Sequence, residues 1–357
     1  MNGIDIIYGD DPREMVRELL GTANVETKIS AGMTIVIKPN LVVAKTASEG
    51  ATTHPEIVEG IVAFLKDHGV RDIVVAEGAW VGEGTQRAFE RCGYTALAKR
   101  HGLKLVDTKK DKIVRKSIRN LSLDICEIID RADFLINVPV LKGHCQTVLT
   151  CCLKNLKGCI PDGEKRRYHT LGLHGPIAAL NTVIRPDLHV VDGICGDLSF
   201  EEGGTPVVSN RILLGTDPVM LDSYGAMLMG HEPNEIDYIG LSARYGVGRL
   251  FDETVSVREF RKELCPKTRL SADGKVRQLS KFIDENGACS ACYAALICAL
   301  NKTGVRNLPY KIKIGQGFRG QKLSGFGVGN CCADCARHVS GCPPKASNIV
   351  RIIEESR

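Results

Sequence analysis

The sequence predicts an α/β fold, a mostly parallel sheet flanked by helices, with a C-terminal cysteine-rich subdomain. Two observations carry the prediction. Short β-branched runs alternate with amphipathic stretches over the first 250 residues, the pattern of strands buried on both faces by intervening helices. Seven of the 15 cysteines then crowd into the segment from Cys289 to Cys342. The expected division is residues 1–275 for the α/β domain and 276–357 for the cysteine-rich subdomain.

Thr34-Ile-Val-Ile37 opens the strand series and ends in Lys38-Pro39-Asn40. Thr53-His-Pro-Glu56 reads as a capping box with proline in the first helical turn. Ile57, Val58, Ile61, Val62 and Leu65 follow at helical spacing, and Gly69 supplies the stop. Asp72–Glu77 is the next strand and Thr85–Cys92 the next helix. Further strands are expected at Leu103–Val106, Phe134–Val140, Leu188–Val191 and Arg211–Leu214. Helices are expected at Thr147–Leu156, Leu173–Val183 and Pro218–Met229. The stretch from Arg249 to Lys281 is charged and weakly periodic, and reads as a connector.

Composition narrows the function. With 47 Lys+Arg against 42 Asp+Glu the net charge is +5, and the positive residues form no dominant block, so nucleic acid is not an expected partner. Stacking on bases has little support from one Trp and few aromatics. No apolar run reaches the roughly 18 residues of a membrane span. The acidic first turns contain no secretory h-region, so a cytoplasmic location without membrane attachment is expected. Gly82-Glu-Gly84 is too short for a dinucleotide fingerprint and no Walker sequence exists.

In a reducing compartment, clustered thiols point to metal or redox chemistry rather than disulfides. The tail reads Cys289-Ser-Ala-Cys292, Cys298, Cys331-Cys332-Ala-Asp-Cys335 and Cys342-Pro343. A Cys-x-x-Cys pair sets two thiolates on one tight loop, and distant cysteines complete a four-thiolate shell. Three readings compete: a [4Fe–4S] cluster, favoured by thiol density and the Cys-Pro ending; a structural zinc, whose spacer is too long for common zinc motifs; and unliganded thiols.

The order of motifs resembles the domain-of-unknown-function 362 family of prokaryotic iron–sulfur proteins. The motifs are Lys38-Pro-Asn40, Thr53-His54-Pro55, Leu141-Lys142-Gly-His144, Leu153-Lys-Asn-Leu-Lys-Gly158, Asp192-Gly193, Gly203-Gly-Thr-Pro206 and Gly215-Thr-Asp217-Pro-Val with Asp222. The tail's Cys-x-x-Cys, Gly-Asn-Cys and Gly-Cys-Pro-Pro complete the set. The resemblance implies Cys289, Cys292, Cys331 and Cys342 as cluster ligands. Cys298, Cys332 and Cys335 are then left over, could serve a second cluster, and leave open the choice between Cys331 and Cys332.

Ligands in open α/β sheets bind beyond the carboxyl ends of strands. Lys38, Asn40, Glu77, Lys142, His144 and Asp192 are placed at such ends. The segment from Lys142 to His174 adds Lys154, Asn155, Lys157, Lys165, His169 and four cysteines (Cys145, Cys151, Cys152, Cys159). Lys142, His144 and His169 are the candidate catalytic groups. Lys38, Asn40, Lys154, Asn155 and Asp192 are the candidate substrate-binding groups, since lysines bind anions and imidazoles exchange protons near neutral pH. C-terminal helical lysines also offset a helix dipole, and Lys165-Arg-Arg167 reads as a solvated loop. The segment Glu201–Gly204 reads as a flexible loop or lid.

The expected function is a redox enzyme that takes low-potential electrons from a ferredoxin-like donor and delivers them to an anionic small molecule. The alternatives are an electron-transfer or interaction module with no substrate of its own, and a non-redox isomerase or lyase with a structural cluster.

Overall fold

The computed structural model describes residues 3–118, 121–267, 270 and 274–355. Its centre is an eight-stranded sheet in the order Ser256–Phe260, Gly3–Tyr8, Pro206–Gly215, Leu188–Asp197, Phe134–Val138, Thr34–Pro39, Asp72–Glu77, Lys104–Asp107. Every neighbouring pair is parallel except those made by Pro206–Gly215, which runs antiparallel to both its neighbours. Apolar clusters cover both faces, one built around Val36, Leu153 and Tyr168, the other around Ile35, Ile61 and Leu65.

The expected α/β architecture is therefore present, with local differences. Helix Pro55–Asp67 forms, but its N-cap is His54 and it has no side-chain cap. The Thr53 hydroxyl instead serves two backbone groups across the sheet, accepting from Asn40 N (2.8 Å) and donating to Val138 O (2.8 Å). Gly69 ends the helix as expected, at φ 86°. The predicted helix Thr147–Leu156 is replaced by a hairpin, Lys142–His144 with Val148–Thr150, then a short helix Cys152–Asn155 and a 3-10 turn Leu156–Cys159. β-Branched Thr150, at the end of the second strand, favours the extended form. Gly143 makes it feasible, because a Cβ there would lie 2.3 Å from Leu198 O. Strand Ser256–Phe260 falls within the expected connector and pairs with Gly3–Tyr8; residues 268–269 and 271–273 of that connector lie outside the described residues.

The tail forms a second, four-stranded parallel sheet in the order Ile283–Glu285, Ile312–Ile314, Leu323–Val328, Cys335–Val339. Helices Ser290–Lys302 and Ala346–Glu354 pack with it around Leu296, Ile297, Leu300, Ile349 and Ile353. It docks on the large domain at defined points. Gln146 Nε2 donates to Ala288 O (3.0 Å), Ser290 Oγ donates to Gln146 Oε1 (2.9 Å), and Gln316 Nε2 donates to Arg166 O (3.2 Å). Gly82, at φ 99°, leaves room for Pro343, whose Cδ would sit 2.5 Å from a Cβ there. No helix among the described residues is long and apolar enough to cross a membrane.

Candidate active site: a lysine cavity walled by a tail cysteine

The carboxyl ends of strands Thr34–Pro39 and Asp72–Glu77 deliver Lys38 and Glu77 side by side, both buried, with Nζ to Oε2 at 2.7 Å. Lys38 also donates to Pro39 O (2.7 Å) and Asn155 Oδ1 (3.2 Å), so all three of its protons have acceptors. Glu77 further accepts from Leu41 N (3.2 Å) and Gly78 N (2.7 Å). Asn155 accepts from Asn40 Nδ2 (3.0 Å) and donates to Asn137 Oδ1 (2.7 Å). Lys142, on the hairpin, is likewise filled, by Asn40 Oδ1 (3.3 Å), Ala51 O and Glu201 O (2.7 Å). These residues make a hydrogen-bonded floor.

On that floor lies a cavity of about 90 Å³ lined by Lys142, His144, Lys154, Lys157, Lys165 and His169 of the large domain and by Cys289, Ser290 and Ala291 of the tail. Lys165 is committed to Gly78 O (2.9 Å) and Ala79 O (2.8 Å). Lys154 and Lys157 are not so filled. Among the described residues Lys154 reaches only Thr150 Oγ1, at 3.5 Å, and Lys157 only His169 Nε2, at 3.3 Å. Removal from water pushes Lys142 down to about 7, with Lys154 adding repulsion, and pushes Lys154 and Lys165 down to about 8. Lys157 is held well below the ordinary lysine value by burial, then by Lys154 and Lys165. Crowded cations short of acceptors are what an anion would relieve.

The imidazoles are held neutral. Burial, then Lys154 and Lys157, keeps His144 far below its usual value; burial, then Lys157 and Lys154, does so for His169. His144 Nδ1 accepts from Gln146 N (3.0 Å) and Thr147 N (3.2 Å), which fixes its proton on Nε2, 3.5 Å from Glu201 Oε1. Ser290 Oγ lies 3.5 Å from His169 Nε2.

Of the residues singled out in the sequence, the structure gathers Asn40, Lys142, His144, Lys154, Asn155 and His169 on this cavity, and Lys38 supports it from behind. Asp192 lies elsewhere. Its strand runs on to Asp197, so Asp192 sits inside the sheet, fully buried, accepting from His54 N (2.8 Å) and contacting His54 Nδ1 (2.8 Å). Burial works against charge on His54, but Asp192 outweighs it and raises its pKa. Glu201 is a correction. It is not on a free lid: it is 2% exposed, its Oε2 accepts from Cys145 N (3.0 Å), and Gly204 N is bonded to Glu49 O (3.1 Å). Lys165 is buried rather than solvated. Its i, i+4 spacing with His169 on helix Asp162–Thr170 puts both on one face, the signal in the sequence that marks it.

In the tail, Cys289 and Cys292 flank the first turn of helix Ser290–Lys302. Burial raises the Cys289 thiol, as do Cys342 and Cys331 beside it; burial, then Cys289, Cys342 and Cys331, raises Cys292. Gln316 Nε2 donates to Cys289 Sγ (3.7 Å) and Arg319 Nη2 to Cys331 Sγ (3.4 Å). Cys332 and Cys335 are buried under the small sheet, Cys332 donating to Lys313 O (3.5 Å), while Cys331 is half-buried and Cys342 exposed. Cys298 is influenced by Glu202, Lys302 and Lys45 rather than by these thiols. A grouping of metal-ligand type lies in the large domain. Cys151, Cys152 and Asp222 place ligand atoms within 4.8 Å of one another, all buried, and Asp222 also accepts from Cys152 N (2.7 Å) and Leu153 N (3.3 Å). Cys159 is a core thiol, and Cys145 joins the tail's core.

Comparison with known proteins gives a family. A thylakoid-associated protein of Synechocystis sp. is 26% identical over 202 residues, 55% of this chain and 60% of that protein. The chain thus matches about 60% of that relative's length. Among solved structures, the lactate racemase apoprotein of Thermoanaerobacterium thermosaccharolyticum aligns with a TM-score of 0.42 at 12% identity, covering 63% of this chain and 56% of that one. A Thermotoga maritima protein aligns with a TM-score of 0.41 at 11% identity, covering 66% and 60%. The model for the domain of unknown function DUF362 matches residues 35–227, over half of the chain and all of the lysine-bearing wall, and the chain belongs to that family.

Proposed function

We propose that the protein is an iron–sulfur oxidoreductase that reduces a small anion bound in the lysine cavity. The observation that carries this reading is that Cys289 lines the same cavity as Lys154 and Lys157. In it, residues 1–275 bind the substrate and residues 276–357 hold the cluster, in a cytoplasmic protein.

Cys289, Cys292, Cys331 and Cys342 are the proposed ligands of a [4Fe–4S] cluster. The donor set fits: Cys342 and Cys331 both act on Cys289 and on Cys292; Cys332 acts on Cys292 as well, but it and Cys335 are buried and the Cys332 thiol is bonded to Lys313 O. When bound, such a cluster supplies electrons one at a time, at a potential set by charge and by hydrogen bonds to its sulfurs. Gln316 and Arg319 are aimed at two of those sulfurs. A ferredoxin-like protein is the proposed source of electrons.

The chain's other residues handle the anion and protons. Lys154 and Lys157 bind the negative group, with charge undiluted by protein acceptors. His144 holds a proton on Nε2 between the cavity and Glu201, and His169 stands between Lys157 and Ser290. Lys142 and Lys38, with their donors filled, position the floor.

The test is iron and acid-labile sulfide per chain on protein purified without oxygen, with EPR before and after dithionite. About four iron with a signal that appears on reduction is expected, lost in Cys331→Ser and kept in Cys332→Ser. Zinc in place of iron, or iron retained in Cys331→Ser, overturns the cluster assignment. Iron that accepts no electron overturns the redox half and favours isomerase or lyase chemistry in the same cavity.

A further inference from the structure

The inner cavity has room for several waters or one carboxylate- or phosphate-sized group, and no larger body. His144 and His169 also line a second space, a cleft of about 1180 Å³ between the Val148 hairpin, helix His174–Val183 and the tail. Leu173, Leu198, Ile236 and Tyr293 give that cleft an apolar wall, and His174 and His231 give it imidazoles. His174 Nδ1 has no hydrogen-bond partner among the described residues, although its ring stacks on Tyr238 at 6.0 Å.

Backbone strain marks the same place. Val148, at the turn of the hairpin that carries His144, has φ 66° and is 37% exposed on the cleft. A β-branched residue is rarely found in the left-handed region, and such outliers cluster at ligand sites. Here the strained residue holds an apolar side chain over the cleft.

We infer that the substrate is an elongated, amphipathic anion: its charged head enters the lysine cavity and its partly apolar body lies in the cleft beyond His144 and His169. This rests on the anion-binding reading above and adds what lies behind the head.

Trp80 is the only tryptophan of the chain and lines the inner cavity, so its fluorescence reports binding without any assay of activity. The full-length protein is titrated with acetate, hexanoate and octanoate. Each buried methylene is worth about 0.8 kcal/mol, so octanoate is expected to bind at least about tenfold more tightly than acetate. Val148→Phe, which narrows the cleft where it meets His144, should reduce octanoate's advantage and act little on acetate. Thr170→Phe, from an exposed position on the same cleft, is the second variant should the first fail to fold. Lys154→Met should weaken both ligands. Acetate that binds as well as octanoate overturns the cleft inference and leaves the anion reading standing. Octanoate that stays tight in both Phe variants, or in Lys154→Met, also overturns it, because its body or head then sits elsewhere. No response to any of the three carboxylates overturns both readings.

Discussion

Gly158→Ala should disable the floor of the cavity by volume alone. Gly158 lies in the 3-10 turn Leu156–Cys159 at an ordinary negative φ, so its backbone accepts alanine and the whole cost is steric. A Cβ there would stand 2.0 Å from Glu77 Oε1 and 2.6 Å from Lys38 Nζ. Neither can retreat, since Lys38 is 0% and Glu77 3% exposed and both are held by further hydrogen bonds. Overpacking a rigid site costs about 1–3 kcal/mol, and separating a buried ion pair about 3–5 kcal/mol. A loss of about 3 kcal/mol follows if the pair shifts without parting. Thermal denaturation should show this as a fall of about 6 °C, at the shallow end of the size scaling. Gly163→Ala is the control: it lies in helix Asp162–Thr170 with nothing within 4 Å of its Cβ, and should stabilise by about 0.5–1 kcal/mol. Glu77→Asp, which withdraws the carboxylate, should partly rescue Gly158→Ala. A Gly158→Ala protein melting within about 1 °C of the parent would refute the packing argument.

Two further outcomes depend on pH. Acetate remains ionised above neutrality, so its affinity should fall as the cavity lysines lose their protons, through about 7 for Lys142 and about 8 for Lys154, approaching tenfold per pH unit or more beyond that. Trp80 fluorescence would show this, and a flat profile from pH 7 to about 9.5 would remove Lys154 from the binding site. Asp192→Asn should lower the His54 pKa, read from its imidazole resonances by NMR. Because the folded His54 value is raised, its contribution to stability is complete below its unfolded pKa of about 6.5 and is lost as pH rises through the folded value. That loss should flatten in the variant, and an unchanged His54 titration would count against the pairing.

The parallel sheet was legible because strands buried on both faces leave dense β-branched runs, as at Thr34–Ile37 and Asp72–Ala76. Lys38 and Glu77 followed from their place at strand ends. The hairpin at 142–150 was not, since a short apolar run with lysines beyond it fits a helix equally well, and only the close approach of Gly143 to Leu198 decides. Charge alone could not separate the filled lysines, Lys38, Lys142 and Lys165, from the unfilled Lys154 and Lys157. That depends on carbonyls such as Ala51 O, Gly78 O and Ala79 O, distant in sequence. Glu201 was hidden for a related reason: two glutamates before two glycines resemble a solvated loop until the Cys145 amide and His144 are seen to meet the first of them.

The cavity has two walls of different provenance. Its lysines and histidines lie between residues 142 and 169, inside the stretch the family shares, whereas the opposing wall, Cys289–Ala291, comes from beyond residue 227. The tail closes the cavity beside Lys154 and Lys157, with Pro343 against Gly82 and Ser290 on Gln146. Under the proposed function, the wall that encloses the anion and the wall that carries Cys289 are the same one.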